Sequence, residues 1–251
     1  MGIQPEAILW SPPPADLVLS SDQVHVFCAC LDQPASRLQE LAQTLSESEQ
    51  VRAERFYFEQ DRKRFTIGRG LLRTILGCYL DIEPSQVQFC YGSKGKPALA
   101  PSCGRGAIRF NLSHSQGLAL YAVTSEREIG VDIEHVRPLP EAEQIVKRFF
   151  SARENAVFCT LPPNQKQEAF FNCWTRKEAY LKAIGDGLAR PLDQIEVTLA
   201  PGEVARLLSI ADEPHTAESW SLQQLTPASS YVAALVVEGS GWHLGCWQWM
   251  L

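Results

Sequence analysis

The chain has no run of eighteen apolar residues, and its N-terminal stretch lacks the basic start and apolar core of a secretory signal. Neither a membrane span nor a signal peptide is predicted, and a cytoplasmic protein is the expectation. Paired cysteines are missing as well. The eight cysteines form no C-x-x-C: Cys28, Cys30, Cys78, Cys90, Cys159, Cys173 and Cys246 lie among apolar neighbours, and Cys103 lies in a Gly-rich loop. That scatter excludes the usual zinc spacings and reads as buried free thiols in a reducing compartment. Excess positive charge is absent too. With 23 Lys and Arg against 29 Asp and Glu, the formal net charge of −6 argues against general nucleic-acid binding. No low-complexity segment, exact repeat or clear linker divides the chain.

What is present is enough apolar sequence for a substantial core, 45% of 251 residues, in one large domain or two small ones. Residues 11–23, with Pro12-Pro13-Pro14, read as an extended arm. A buried strand over 24–31 and a short amphipathic helix over 36–45 follow. Ser46 and Glu49 have capping-box spacing and open a helix carrying Arg52 and Arg55. A further helix over 61–80 carries Arg62, Lys63, Arg64, Arg69 and Arg73, with Phe65, Leu72, Ile75 and Leu76 for the core. Seven basic side chains between Arg52 and Arg73 reverse the local sign of an acidic chain. Either an anionic ligand or solvated helix faces would account for them.

Residues 87–91 alternate as a strand before the turn Gly92-Ser93-Lys94-Gly95-Lys96-Pro97. Residues 107–112 and 118–123 read as paired strands joined through Ser113-His114-Ser115-Gln116-Gly117, which places His114 in the connection. Strands are also predicted at 195–199, 220–222, 231–237 and 242–249. Each half holds a long helix, ending near Leu80 or Ile184, followed by strands. The pattern by itself gives α+β.

Two further segments carry chemistry. Gly130-Val131-Asp132-Ile133-Glu134 alternates with period two, so as a strand it sets Asp132 and Glu134 side by side on one face. A helix over 164–184 places Trp174, Glu178 and Lys182 four apart on one stripe. Clustered carboxylates repel and raise each other's pKa, and a hard divalent cation removes that cost. Magnesium suits few carboxylates plus substrate phosphates, and Lys182 suits a phosphate as a point charge. The plainer alternative is a solvated edge strand beside an ordinary i,i+4 helix pair.

These residues resemble the signatures of the Sfp-type 4′-phosphopantetheinyl transferases: a G-[IV]-D-[IV]-E strand and, forty residues after Glu134, a W-[ST]-x-K-E-[AS]-x-x-K helix before the Gly-rich turn Gly185-Asp186-Gly187-Leu188. Gly95-Lys96-Pro97, Phe110-Asn111-Leu112-Ser113-His114-Ser115 and the run from Arg55-Phe56-Tyr57 to Arg73 match as well. The likeness spans residues 46–197.

The resemblance implies two similar α/β subdomains, 1–125 and 126–251, with the active site between them in a monomer. It implies transfer of the 4′-phosphopantetheine arm of coenzyme A to a serine of an apo acyl, polyketide or peptidyl carrier protein, releasing adenosine 3′,5′-bisphosphate. By the same resemblance Asp132, Glu134 and Glu178 hold magnesium, Glu178 acts as base, and Lys182 stabilises the leaving side. Arg52, Arg64, Lys96, Ser113 and His114 hold coenzyme A, His114 as a donor. Two positions depart from the pattern: Glu49 stands where a lysine is common, and Phe65 where a small hydroxyl residue is. Phe149-Phe150, behind Lys147 and Arg148, is either a carrier-docking platform or core. The rival classes are a magnesium-dependent nuclease or phosphatase, and a non-catalytic carrier-binding module.

Overall fold

Two helices of 22 residues each, α3 (Glu59–Leu80) and α6 (Pro163–Ile184), cover the outer faces of two sheets. The structure, a computed structural model, describes residues 10–103, 107–187, 190–211, 213 and 215–250. Before α3 come the strand β1 (Gln23–Cys30) and the helices α1 (Ala35–Ala42) and α2 (Glu47–Glu54). After it come β2 (Phe89–Tyr91), β3 (Pro97–Leu99), β4 (Ile108–Ser115) and β5 (Leu118–Ser125). The second half repeats the order. It runs β6 (Ile129–His135), α4 (Ala142–Phe149), α5 (Ala152–Thr160), α6, then β7 (Ile195–Val197), β8 (Leu207–Ile210), β9 (Trp220–Leu225) and β10 (Tyr231–Glu238), with β11 (His243–Trp249) added at the end.

The sheets repeat too. One is ordered β11-β1-β5-β4 and the other β6-β10-β9, so the first, last and penultimate strands of each half take corresponding places. The extra strand β11 lies parallel to β1, with Val26 opposite Cys246. The expected α+β class holds, and the coarse symmetry of the sequence is a repeat of topology.

Strand alternation sorts the side chains into layers. Val24, Val26 and Cys28 of β1 meet Ile129, Val131 and Ile133 of β6 in a core between the sheets, while Phe27 and Ala29 face α3. On β10, Ala233, Leu235 and Val237 join that central core and Val232, Ala234 and Val236 lie under α6. Both faces of each sheet are therefore covered, in helix, sheet, sheet, helix order. Each fully buried Val, Leu or Ile contributes roughly 1.5–3 kcal/mol.

The helix starts repeat at atomic detail. Ser46 caps α2 and Ser151 caps α5, each in a capping box with Glu49 or Glu154. Glu49 then receives Arg73 Nε at 2.7 Å, and Glu154 receives Lys177 Nζ at 2.5 Å. Both glutamates and both cations are buried.

Two expectations change. Strand β4 runs through Ser115, so Ser113 and His114 sit on the strand; Gln116 at φ 51 with Gly117 suffices for the turn. All eight cysteines are free, but Cys78, Cys90 and Cys159 are exposed, because apolar neighbours in sequence do not fix which face a residue takes. The Pro-rich arm is seated: Ser11 pairs with Trp247, and Leu17 and Leu19 pack on the α3 core. Among the described residues no helix is long and apolar enough to cross a membrane.

Candidate active site

The site is built by the close crossing of α6 over β6. A Cβ at Gly130 would collide with Ala179 O and Ala183 N, so only glycine lets the helix settle on the strand there. Two residues on, the same strand face presents Asp132, and four more α6 residues after Glu178 bring Lys182 to it. Lys182 Nζ donates to Asp132 Oδ1 at 2.6 Å and to Ser113 Oγ at 2.8 Å, and Ser113 Oγ donates to Asp132 Oδ1 at 2.8 Å. Glu134, one pleat further, accepts from Ser115 Oγ at 2.9 Å and from Arg137 at 3.5 Å, both at Oε2. Trp174, the anchor of the predicted stripe, stacks on Phe170.

Strands β4 and β6 end their sheets side by side, and polar side chains of β4 bridge them. Asn111 Oδ1 accepts from Val131 N at 3.0 Å, Ser113 reaches Asp132, and Ser115 reaches both Glu134 and the backbone of His135. The alternation Asn111, Ser113, Ser115 thus sets β6, and with it the carboxylates.

Electrostatics follow from this crowding. The Glu178 carboxyl is held above the usual carboxylate value by burial, then by the neighbouring Asp132, with Glu134 adding to it and Lys182 opposing. His114 lies at the exposed rim. Partial loss of hydration, then Lys182 and Arg64, hold its imidazole below the usual value, so it is neutral at pH 7 with one N–H to donate.

Asp132 Oδ2 is buried and has no hydrogen-bond partner among the described residues. An orphaned carboxylate oxygen beside two further carboxylates is costly, and a hard divalent cation is the group that satisfies such a donor set. Among the described residues no three His, Cys, Asp or Glu side chains form a group able to hold a metal by themselves. Lys182 and Ser113 draw in Asp132 while Ser115 and Arg137 draw in Glu134, so the acids offer a partial set. Magnesium fits this partial set, since it keeps waters and takes its remaining oxygens from phosphates.

The basic cluster divides. Arg69 and Arg73 are buried against Glu49 and belong to the fold, a reading the charge count alone missed. Glu49, set where a lysine is common, is thus the acceptor of a buried ion pair. Arg52 lies over the Phe65 ring at 5.3 Å, beside a surface cavity of 810 Å³ lined also by Arg55, Phe56 and Tyr91. Arg64 forks onto Asp32, both bonds 2.8 Å. Lys96 donates to Ala183 O at the end of α6 at 2.6 Å and to Glu128 at 2.9 Å, so its hairpin is strapped to the second half. In the Gly-rich turn Gly185 (φ 78) closes α6, and Leu188 lies outside the described residues. Phe150 is core, stacked on Phe170, while Phe149 is exposed with Arg148 over its ring.

Within the W-T-R-K-E-A motif the structural and the site residues are separate. Arg176 is buried on Thr198 and Gln224, and Lys177 on Glu154 and Leu192 O. Glu178, with Lys182 one turn on, lies beside Asp132 of β6. The sequence signal was there: Lys177 sits one helical step off the stripe of Glu178, on the apolar side with Phe170 and Cys173.

Comparison with known proteins agrees with these features. Residues 128–236 match the model of the 4′-phosphopantetheinyl transferase superfamily, and residues 33–126 match that of the 4′-phosphopantetheinyl transferase N-terminal region. The 4′-phosphopantetheinyl transferase HetI of Nostoc sp. is 51% identical over 240 residues, 96% of this chain and 98% of that protein. A 4′-phosphopantetheinyl transferase of Bacillus subtilis is 32% identical over 76% of this chain and 84% of its own length. The transferase Sfp of Bacillus subtilis is 30% identical over 70% and 77%. With both halves matched in order, the chain belongs to the 4′-phosphopantetheinyl transferase superfamily.

Proposed function

We infer that the chain moves the 4′-phosphopantetheine group of coenzyme A onto a serine hydroxyl of an apo carrier protein, at the acids and lysine gathered where α6 crosses β6. The observation that carries the site assignment is Asp132 Oδ2, buried and unpartnered, with Glu178 and Lys182 beside it.

In the reaction the serine oxygen bonds to the phosphorus nearest the pantetheine arm, and the bond from that phosphorus to adenosine 3′,5′-bisphosphate breaks. The serine proton passes to the Glu178 carboxylate. A carboxyl held above its usual value is the better base near neutral pH, and such assistance is typically worth about 10²–10⁴-fold. Lys182 gives the developing phosphate charge a fixed cation, itself oriented by Asp132 and Ser113. Neutral His114 donates to phosphate oxygen. Arg52, which pairs with no carboxylate among the described residues and lies over the Phe65 ring, is the cation assigned to the nucleotide end. Arg64 reaches an anion by sharing or leaving Asp32. Asp132, Glu134 and Glu178 would hold a magnesium ion, which when bound neutralises the diphosphate charge.

The test is intact mass of an apo carrier protein after incubation with this protein, coenzyme A and magnesium. A gain of one phosphopantetheine, lost with chelator and in Asp132→Ala, is expected. A gain that persists in Asp132→Ala would move the site elsewhere.

A further inference from the structure

Glu134 differs from Asp132 and Glu178 in how it is held. It stands one residue before the end of β6, its side chain 26% exposed, and among the described residues its carboxylate is steadied by two groups only. Arg137 contacts it at 3.5 Å from an exposed position three residues on, a geometry of little energy. Ser115 contacts it at 2.9 Å from the neighbouring strand. The serine hydroxyl is itself fixed, because Ser115 Oγ accepts from His135 N at 3.1 Å while donating its one proton to Glu134 Oε2. A hydroxyl has one proton and two lone pairs, so the backbone bond from His135 directs that proton to the carboxylate. Both contacts fall on Oε2, and among the described residues none falls on Oε1.

We propose that Ser115 is the positioning residue of Glu134, fixing the rotamer in which the carboxylate offers Oε1 to the magnesium ion. The proposal rests on the magnesium reading above. It assigns Ser115 a task apart from Ser113, whose hydroxyl serves Asp132 and Lys182. Groups that orient a metal-binding carboxylate typically cost 10–100-fold in metal affinity when removed. The loss is expected in affinity for the ion and not in the chemical step, because Ser115 touches neither Glu178 nor Lys182 among its hydrogen-bond partners.

The experiment measures magnesium affinity of the full chain by the ion-dependent rise in melting temperature, alongside the magnesium dependence of turnover. Ser115→Ala should raise the magnesium constant by about tenfold or more. Without magnesium it should melt somewhat lower than the parent, since His135 N loses its acceptor, but kcat should recover at saturating ion, and Ser115→Thr should restore the parent constant. In a Glu134→Gln background, Ser115→Ala should have no further effect on that constant. An unchanged magnesium constant in Ser115→Ala, with the parent clearly binding the ion, overturns the proposal alone. So does a loss of kcat that saturating magnesium does not repair. If the parent chain neither binds magnesium nor needs it, the magnesium reading fails and this assignment falls with it.

Discussion

Arg73 and Lys177 occupy the same place in two halves of the chain: each lies fourteen residues after the first residue of a 22-residue helix, and each ends on a buried capping-box glutamate. Each cation also donates to a backbone carbonyl just beyond its helix, Val87 O for Arg73 and Leu192 O for Lys177. The pair is thus a three-way joint between a short helix, a long helix and the hairpin that follows.

Removing one member of such a joint leaves a buried charge. Lys177→Met should destabilise the fold by about 3–5 kcal/mol, since Glu154 is left in the core without its cation. The double variant Glu154→Gln, Lys177→Met should recover part of this. Denaturant unfolding of the two singles and the double measures the coupling, and additive losses would mean the two side chains do not depend on each other.

Glu178→Gln should lower turnover at least about 10²-fold, the low end of general-base assistance. Its stability should move the other way. A carboxyl held above its ordinary 4.5 favours the protonated folded state, so the parent has its full stability below that value and loses it as pH rises through the folded pKa. Without magnesium the variant should therefore melt higher than the parent at pH 7, and the gap should close below pH 4.5. Equal melting temperatures at both pH values would contradict the burial and Asp132 contact that raise this pKa.

Lys182→Ala should reduce kcat more than Arg52→Ala does. The first removes the cation that touches Asp132 and Ser113; the second removes a guanidinium on α2 and should act chiefly on the KM for coenzyme A. Steady-state kinetics with the order reversed would displace Lys182 from the reacting phosphate.

His25 predicts acid sensitivity. Burial pushes its imidazole down to about 4, and Tyr79 OH lies 2.6 Å from Nδ1. The unfolded chain takes up this proton first, so the stability present above pH 6.5 is lost as pH falls toward 4. The shift corresponds to about 3 kcal/mol. His25→Gln should flatten that limb of a stability against pH curve, and an unaltered limb would place the acid sensitivity in another group.

Much of this was legible in the sequence because periodicity and capping are local. Both long helices, the Ser46 cap, and the strand face shared by Asp132 and Glu134 follow from spacing. Contacts between distant segments were not legible: that Glu49 belongs to Arg73, that Asp32 takes the fork of Arg64, or that Lys96 ends on α6. Sign of charge shows that a cation needs a partner, not which one it finds. The position of Ser113 and His114 on a strand was missed because polar residues read as a turn, although here Ser113 faces Asp132 across the strand edge and His114 takes the opposite, exposed face.

The pairing of β11 with β1 has a consequence for synthesis. Residues 23–29 are made first but their sheet lacks its outer neighbour until residues 243–249 have been added. While the ribosome is still translating the second half, the β1 edge is an open row of backbone donors and acceptors. Trp247, which packs against Phe27 and His25, arrives only with β11. The first half is therefore the part of the nascent chain most exposed to wrong pairing, and shortening the chain before β11 should harm that early half more than the later one.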